Sequence, residues 1–127
     1  MIGQDTIEIL VQFAREDPRI VGVYIFGSVA QERDHAESDM DIALMVRSDV
    51  DGFERIEMET GLGNLVGQDV HLVIFHTASP LLKHQILKYG QLIYEADSGE
   101  RVRQEVLARS EYFDTKGLFK ELEGVSR

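Results

Sequence analysis

The sequence lacks cysteine and tryptophan altogether, and only 2 of its 127 residues are proline. Without cysteine the chain can form no disulfide bond, no thiolate metal site and no cysteine nucleophile. It also lacks an apolar run of about 18 residues, the length that a membrane-spanning helix needs. Its first residues do not have the basic and apolar segments of a secretory signal. The sequence therefore predicts a cytoplasmic protein without a membrane partner.

Positive charge is scarce as well, because 13 Lys and Arg residues stand against 23 Asp and Glu, for a net charge of -10. Proteins that bind nucleic acid directly draw much of their affinity from Lys and Arg contacts to phosphates. We therefore expect no direct nucleic-acid partner. Residues 28–59 alone hold 10 acidic and 3 basic side chains. Such a run is most often a solvated face, so the spacing of its carboxylates has to decide whether it contains a site.

The chain length and an apolar content of 43% suit one domain with its own core. We predict a single domain over residues 1–127, of the α/β (α+β) class, in which helices flank a mixed sheet of about four strands. The predicted elements are a helix over residues 5–15, strands over 20–26 and 40–46, a helix over 51–67, a strand over 69–75, a helix from Ser79-Pro80 to Gly90, a strand over 91–94 and a helix over about 98–122. Ser98 is the expected cap of the last helix, on which Val102, Val106 and Phe113 share a stripe.

Two short motifs stand close together in the acidic part of the chain. Gly27-Ser28 leaves a predicted strand, where glycine permits close approach of a ligand and free amides and a hydroxyl can hold phosphate oxygens. Asp39 and Asp41 are two residues apart on the next strand, so both side chains leave the same face. Carboxylates arranged in this way suit Mg2+, which commonly completes its coordination with waters and substrate phosphates. By contrast, Glu54, Glu57 and Glu59 are expected to be solvated helix charges.

Ten residues separate Gly27-Ser28 from Asp39-x-Asp41, and Ser38 completes a Ser-Asp-x-Asp form. This arrangement resembles the nucleotidyltransferase signature of the DNA polymerase β superfamily. The chain length and the order of elements resemble the minimal nucleotidyltransferases, the antitoxin partners of HEPN-domain toxins. Residues 67–95 are similar to the third strand, following helix and closing strand of that family, and residues 110–116 to its C-terminal helix. The resemblance thus implies the polymerase β-type nucleotidyltransferase fold.

The resemblance also implies a function and a set of site residues. It implies an enzyme that uses two metal ions to transfer AMP from ATP to a hydroxyl, on a tyrosine, of a HEPN ribonuclease toxin, which is neutralised within a hetero-oligomer. Asp39 and Asp41 would hold Mg2+, with Mn2+ as an alternative, and Gly27 and Ser28 would bind the nucleotide. The helix over residues 98–122 would be an extension that contacts the partner.

One position departs from the family pattern. The third carboxylate of the family lies in a Val-Asp-Leu-Val setting, whereas this chain has His71 between Val70 and Leu72. Imidazole is a poor ligand for Mg2+ and suits later transition metals better. Asp69, two residues earlier, is expected on the same face and could supply the missing oxygen. The predicted catalytic and metal-binding set is therefore Asp39, Asp41 and Asp69, with His71 as an alternative ligand or as a hydrogen-bonded strand histidine.

Two other functions stay open on the sequence alone. In the first, a weak transferase neutralises its toxin by binding and masking it, because His71 has removed a carboxylate from the site. In the second, the acceptor is a small molecule such as an aminoglycoside. The latter is less favoured because such enzymes generally add a second domain, for which 127 residues leave no room.

Overall fold

The computed structural model describes residues 3–27 and 39–125, and the side chains within residues 3–27 and 39–114. Its elements are α1 (Gln4–Arg15), β1 (Ile20–Phe26), β2 (Met40–Val46), α2 (Gly52–Val66), β3 (Val70–Ile74), a 3-10 turn (Phe75–Thr77), α3 (Pro80–Tyr89), β4 (Gln91–Glu95) and α4 (Ser98–Val125). The predicted order of helices and strands is confirmed. None of the helices in these residues is long and apolar enough to cross a membrane.

The strands form one sheet in the order β3-β2-β1-β4. β1 runs antiparallel to both of its neighbours, whereas β2 and β3 are parallel, so the predicted mixed sheet is confirmed. β1 and β2 occupy the two central positions and bury side chains on both faces. Their nearly continuous apolar sequences follow from that position, since a strand covered on both sides has no solvent face to fill with polar residues.

Helices cover both faces of the sheet. Leu10 and Ala14 of α1 and Leu62 of α2 pack against one face, whereas Ile86 of α3 and Ala108 of α4 pack against the other. Along β2 the side chains alternate between these two cores. Met40, Ile42, Leu44 and Val46 join the first core, and Ala43 and Met45 join the second. Asp41 falls in the second set, so its side chain lies on the face that α3 and α4 cover.

Helix caps fix the ends of α2 and α3 as the sequence predicts. The Asp51 carboxylate accepts a hydrogen bond from the backbone N–H of Glu54 at 2.8 Å, and α2 ends at Gly67, whose φ of 75° is left-handed. The Ser79 hydroxyl accepts from the N–H of Leu82, with Pro80 in the first turn of α3. Because these signals are local, they can be interpreted without the rest of the fold.

Several boundaries differ from the predictions by one to three residues. Asp97, not Ser98, caps α4, because its side chain accepts from the N–H of Glu100 at 3.1 Å. The third strand is shorter than predicted at both ends, since β3 spans Val70–Ile74 and the chain turns into the 3-10 helix at Phe75. The last helix continues past residue 122 to Val125. None of these shifts changes the topology.

α4 is attached to the sheet through polar contacts as well as through Ala108. The buried Gln104 side chain donates to the carbonyl oxygen of Val46 at 2.8 Å, and the Tyr24 hydroxyl donates to Glu105. Burial and this acceptor raise the pKa of Tyr24 well above its usual range. The stripe of Val102, Val106 and Phe113 is not used in this attachment and is exposed at 47%, 53% and 67%.

Candidate active site

Three of the candidate residues lie in a row at one end of the sheet. Phe26, at the end of β1, is paired with Asp41, and Asp41 is paired with His71 on the neighbouring β3. Gly27 directly follows β1, so it lies on one side of Asp41 and His71 lies on the other. The order β1, β2, β3 thus brings together residues that are distant in sequence.

Gly27 lies against the Asp41 carboxylate. Its φ is +77°, a left-handed conformation that side chains other than hydrogen rarely allow. A Cβ atom at this position would lie 2.2 Å from Oδ2 of Asp41, far inside van der Waals contact. The close contact of Gly27 in this structure is with a carboxylate on the adjacent strand, and its predicted role in admitting a ligand stays a prediction.

His71 lies on the other side of the same carboxylate. Its Nδ1 atom donates a hydrogen bond to Oδ1 of Asp41 at 3.1 Å, and the two side chains are 56% and 26% exposed. The hydrogen-bonded strand histidine, one of the two predicted interpretations, is thus observed. Gly27 and His71 together fix where the Asp41 carboxylate can lie.

Asp39 and Asp69 lie directly before β2 and β3. The N–H of Met40 donates to the carbonyl oxygen of Asp69 at 3.0 Å, which holds the two strand starts side by side. Both aspartates line one cavity of about 360 Å3. The other lining residues are mainly polar and come mostly from α2: Glu59, Thr60, Gly63, Asn64 and Val70. This acidic cavity therefore contains two of the three predicted carboxylates, and the third, Asp41, contacts His71.

Residues 8–99 match the family model described as polymerase beta, nucleotidyltransferase. The chain belongs to this family. A relative from Shewanella oneidensis, the protein adenylyltransferase MntA, is 30% identical to this nucleotidyltransferase over 86 residues. The match covers 67% of this chain and 62% of MntA, so it spans less than two thirds of that relative's length.

Solved structures share the fold of this nucleotidyltransferase. A chain of a toxin-antitoxin crystal structure with AMP-PNP has a TM-score of 0.83 at 24% identity, over 95% of this chain and 98% of that one. A chain of the toxin-antitoxin MntA-HepT has a TM-score of 0.78 at 22% identity, over 98% and 100%. A chain of the tri-AMPylated Shewanella oneidensis HEPN toxin in complex with MNT antitoxin also has a TM-score of 0.78 at 22% identity, over 98% of both chains.

The donor chemistry of the candidate site fits a hard divalent cation. Within residues 3–27 and 39–114, no three His, Asp or Glu side chains converge as a ready ligand set. Mg2+ does not need one, because it is commonly held by one or two carboxylates together with waters and substrate phosphates. Asp39 and Asp41 can each supply a carboxylate, but from different surroundings: Asp39 lines the cavity beside α2 together with Asp69, whereas Asp41 contacts His71 on the face that α3 and α4 cover. Ser28 and Ser38 lie outside the described residues.

Two α2 residues make contacts that the motifs do not indicate. Glu59 accepts a hydrogen bond from the N–H of Leu72 at 2.8 Å, and Arg55 donates to the carbonyl oxygen of Leu72 at 3.0 Å. Arg55 and Glu59 also pair with each other, as their i,i+4 spacing could have indicated. They satisfy the outward backbone groups of β3 at Leu72.

The prediction that Glu54 and Glu59 are solvated helix charges is wrong. Glu54 forms an ion pair with Arg19 at 2.7 Å, and Glu59 contacts Arg55 and β3. Arg19 lies 35 residues before Glu54 in the sequence. Only the fold brings these partners together, so the charge run alone could not reveal them.

Proposed function

We propose that this nucleotidyltransferase is an antitoxin that transfers AMP from ATP to a hydroxyl group, on a tyrosine, of a HEPN ribonuclease toxin and thereby neutralises it. The observation that carries the proposal is the Asp41 carboxylate, positioned between Gly27 and His71 in a chain of this family. The name of MntA, a protein adenylyltransferase, and the AMPylated HEPN toxin in a similar complex support the reaction and the partner.

The roles follow from the chemistry of the side chains. Asp39 and Asp41 hold Mg2+, or Mn2+ as an alternative, with Asp69 as the third carboxylate of a two-ion site. When bound, the metal offsets the charge of the triphosphate and of the departing pyrophosphate. Gly27 and Ser28 hold the nucleotide. A cation is needed here because the carboxylates of a chain with net charge -10 would otherwise repel the phosphates of ATP.

The exposed stripe of α4 suits the partner-contacting role of this helix. Val102, Val106 and Phe113 lie on the surface although they are apolar. Burial of such side chains against another protein is favourable, at about 25 cal/mol for each Å2 of apolar surface removed from water. We propose that α4 is the extension by which a single transferase domain, residues 1–127, joins its HEPN partner in a hetero-oligomer.

The reaction is tested by intact mass. Incubation with ATP, Mg2+ and the HEPN-family protein of the adjacent reading frame is expected to add AMP to the HEPN protein, because the site then has its cation, its nucleotide and its acceptor. Chelation of the metal is expected to prevent the addition. If folded proteins yield no AMP adduct with either Mg2+ or Mn2+, the proposed reaction is wrong.

The hydrogen bond between His71 and Asp41 favours one second function. If the hydrogen bond from His71 occupies the Asp41 carboxylate so that it binds metal weakly, the chain would neutralise its toxin by binding and masking it. Its net charge of -10 would then assist docking on a basic RNA-binding surface, because complementary fields raise association rates and fix orientation.

Replacing His71 by aspartate is expected to make the fold more responsive to Mg2+. Residue 71 is the cross-strand partner of Asp41, so His71→Asp places two carboxylates opposite each other and destabilises the fold without metal. A cation bound between them offsets this repulsion and stabilises the folded state. The measurement is the Tm with and without Mg2+.

His71→Asn is the matched control, because it removes the imidazole without adding a charge. We expect Mg2+ to raise the Tm of His71→Asp more than that of His71→Asn or the unmodified chain. Equal shifts in the two variants would show that residue 71 does not face the metal.

A further inference from the structure

A second cavity adjoins the site at the outer edge of the sheet. It has a volume of about 330 Å3 and lies between α2, β3 and the start of α3. We name it the edge cavity, and its lining consists of Arg55, Glu59, His71, Leu72, Val73, Ile74, Thr77, Ala78 and Leu82. Because His71 both lines this cavity and contacts Asp41, the edge cavity leads to the proposed site of transfer.

The edge cavity and Gly27 lie on opposite sides of Asp41. Gly27 follows β1 and lies on one side of Asp41, whereas His71 is on β3 and lies on the other. If Gly27 and Ser28 hold the triphosphate, a second substrate can approach Asp41 from the β3 side. With this strand order, the two substrates would lie on opposite sides of Asp41.

The lining of the edge cavity suits an aromatic side chain with a hydroxyl group. Val73, Ala78 and Leu82 supply an apolar wall, and His71, Thr77 and the ion pair of Arg55 and Glu59 supply polar groups. A tyrosine has the matching character, with an apolar ring and a polar tip. The acidic cavity that Asp39 and Asp69 line offers mainly polar and charged groups and suits a cation better than a ring.

The backbone N–H and carbonyl groups of Leu72 on β3 are not available to pair with an added strand. Both its N–H and its carbonyl oxygen are already bonded, to Glu59 and Arg55 respectively. An acceptor segment therefore cannot pair with β3 there as an extra strand, which is a common way for a sheet edge to bind a peptide. At Leu72, recognition therefore depends on a side chain that enters the cavity and not on backbone pairing.

We propose that the edge cavity is the acceptor subsite, which receives the hydroxyl-bearing aromatic side chain to which the nucleotide is transferred. The inference rests on the proposed function. The acceptor oxygen attacks the α-phosphorus of ATP and forms the new O–P bond. The bond from that phosphorus to the bridging oxygen of the β-phosphate breaks, pyrophosphate leaves with that electron pair, and the hydroxyl proton passes to water.

Ala78→Trp tests the subsite, because a large ring would fill the edge cavity. Ala78 is half-buried and its backbone is extended, a conformation that any residue adopts. We expect the KM for the HEPN-family protein of the adjacent reading frame to rise at least about tenfold. The Kd for AMP-PNP is expected to be unchanged. Ala78→Leu, a smaller change, is expected to act in the same direction and serves if the tryptophan variant does not fold.

Leu65→Trp is the matched control. Leu65 lines a different cavity between α1 and α2, together with Asp5, Ile9 and Phe13, and this variant should keep both constants. An unchanged acceptor KM in folded Ala78→Trp or Ala78→Leu would overturn the subsite and leave the proposed function standing, as would an equal loss of AMP-PNP binding. Failure of the unmodified chain to transfer AMP would overturn both.

Discussion

Combining Asp39→Ala with Asp41→Ala is expected to lower the rate of AMP transfer at least about 100-fold, because a metal ion typically supplies several kcal/mol of charge stabilisation. Neither side chain belongs to the exposed apolar stripe of α4 that we propose as the partner contact. The complex with the HEPN partner should therefore survive. The measurements are a time course of AMP addition by intact mass and co-elution of the two proteins.

This variant also separates catalysis from masking. If AMP transfer neutralises the toxin, cells that express the toxin with the double variant should fail to grow although the complex forms. If masking suffices, the variant should protect them fully. Glu8→Ala combined with Glu57→Ala is the control, because it removes two exposed carboxylates elsewhere and changes the net charge equally. Full protection by the Asp39 and Asp41 double variant would contradict neutralisation by AMP transfer.

Much of the fold could be predicted because its signals are local. The apolar runs of β1 and β2 indicate central strands, and both strands have the predicted bounds. Asp51, Gly67 and Ser79 mark helix ends through contacts within a few residues. The error at the start of α4 has the same origin, since Asp97 and Ser98 are both good caps and their order alone does not choose between them.

The site could be predicted only as a set of residues. The spacing of Gly27 and Asp41 indicates that both belong to one site, but the contact between them depends on the register of β1 and β2. The hydrogen bond from His71 depends in the same way on the register of β2 and β3. Register is a property of the assembled sheet. The motif alone therefore does not predict these contacts, which orient the Asp41 carboxylate.

Gly27→Ala is expected to lower AMP transfer about 100-fold, because small displacements of a reacting or positioning group cost factors of that size. The added methyl group would overlap Oδ2 of Asp41, at 2.2 Å from Cβ, and the carboxylate would have to move. His71 lies on its other side, so any movement also alters that hydrogen bond. The measurements are the rate of transfer and the Tm of the variant.

Gly67→Ala isolates the cause of that loss. Gly67 also has a left-handed φ, +75° against +77° for Gly27, but no atom lies within 4 Å of a Cβ built there. Both variants should therefore lose about 1–2 kcal/mol of stability from backbone strain. Only Gly27→Ala adds an overlap with Asp41, so only its transfer rate should fall. Equal rates in the two variants would show that the position of the Asp41 carboxylate beside Gly27 does not matter for the reaction.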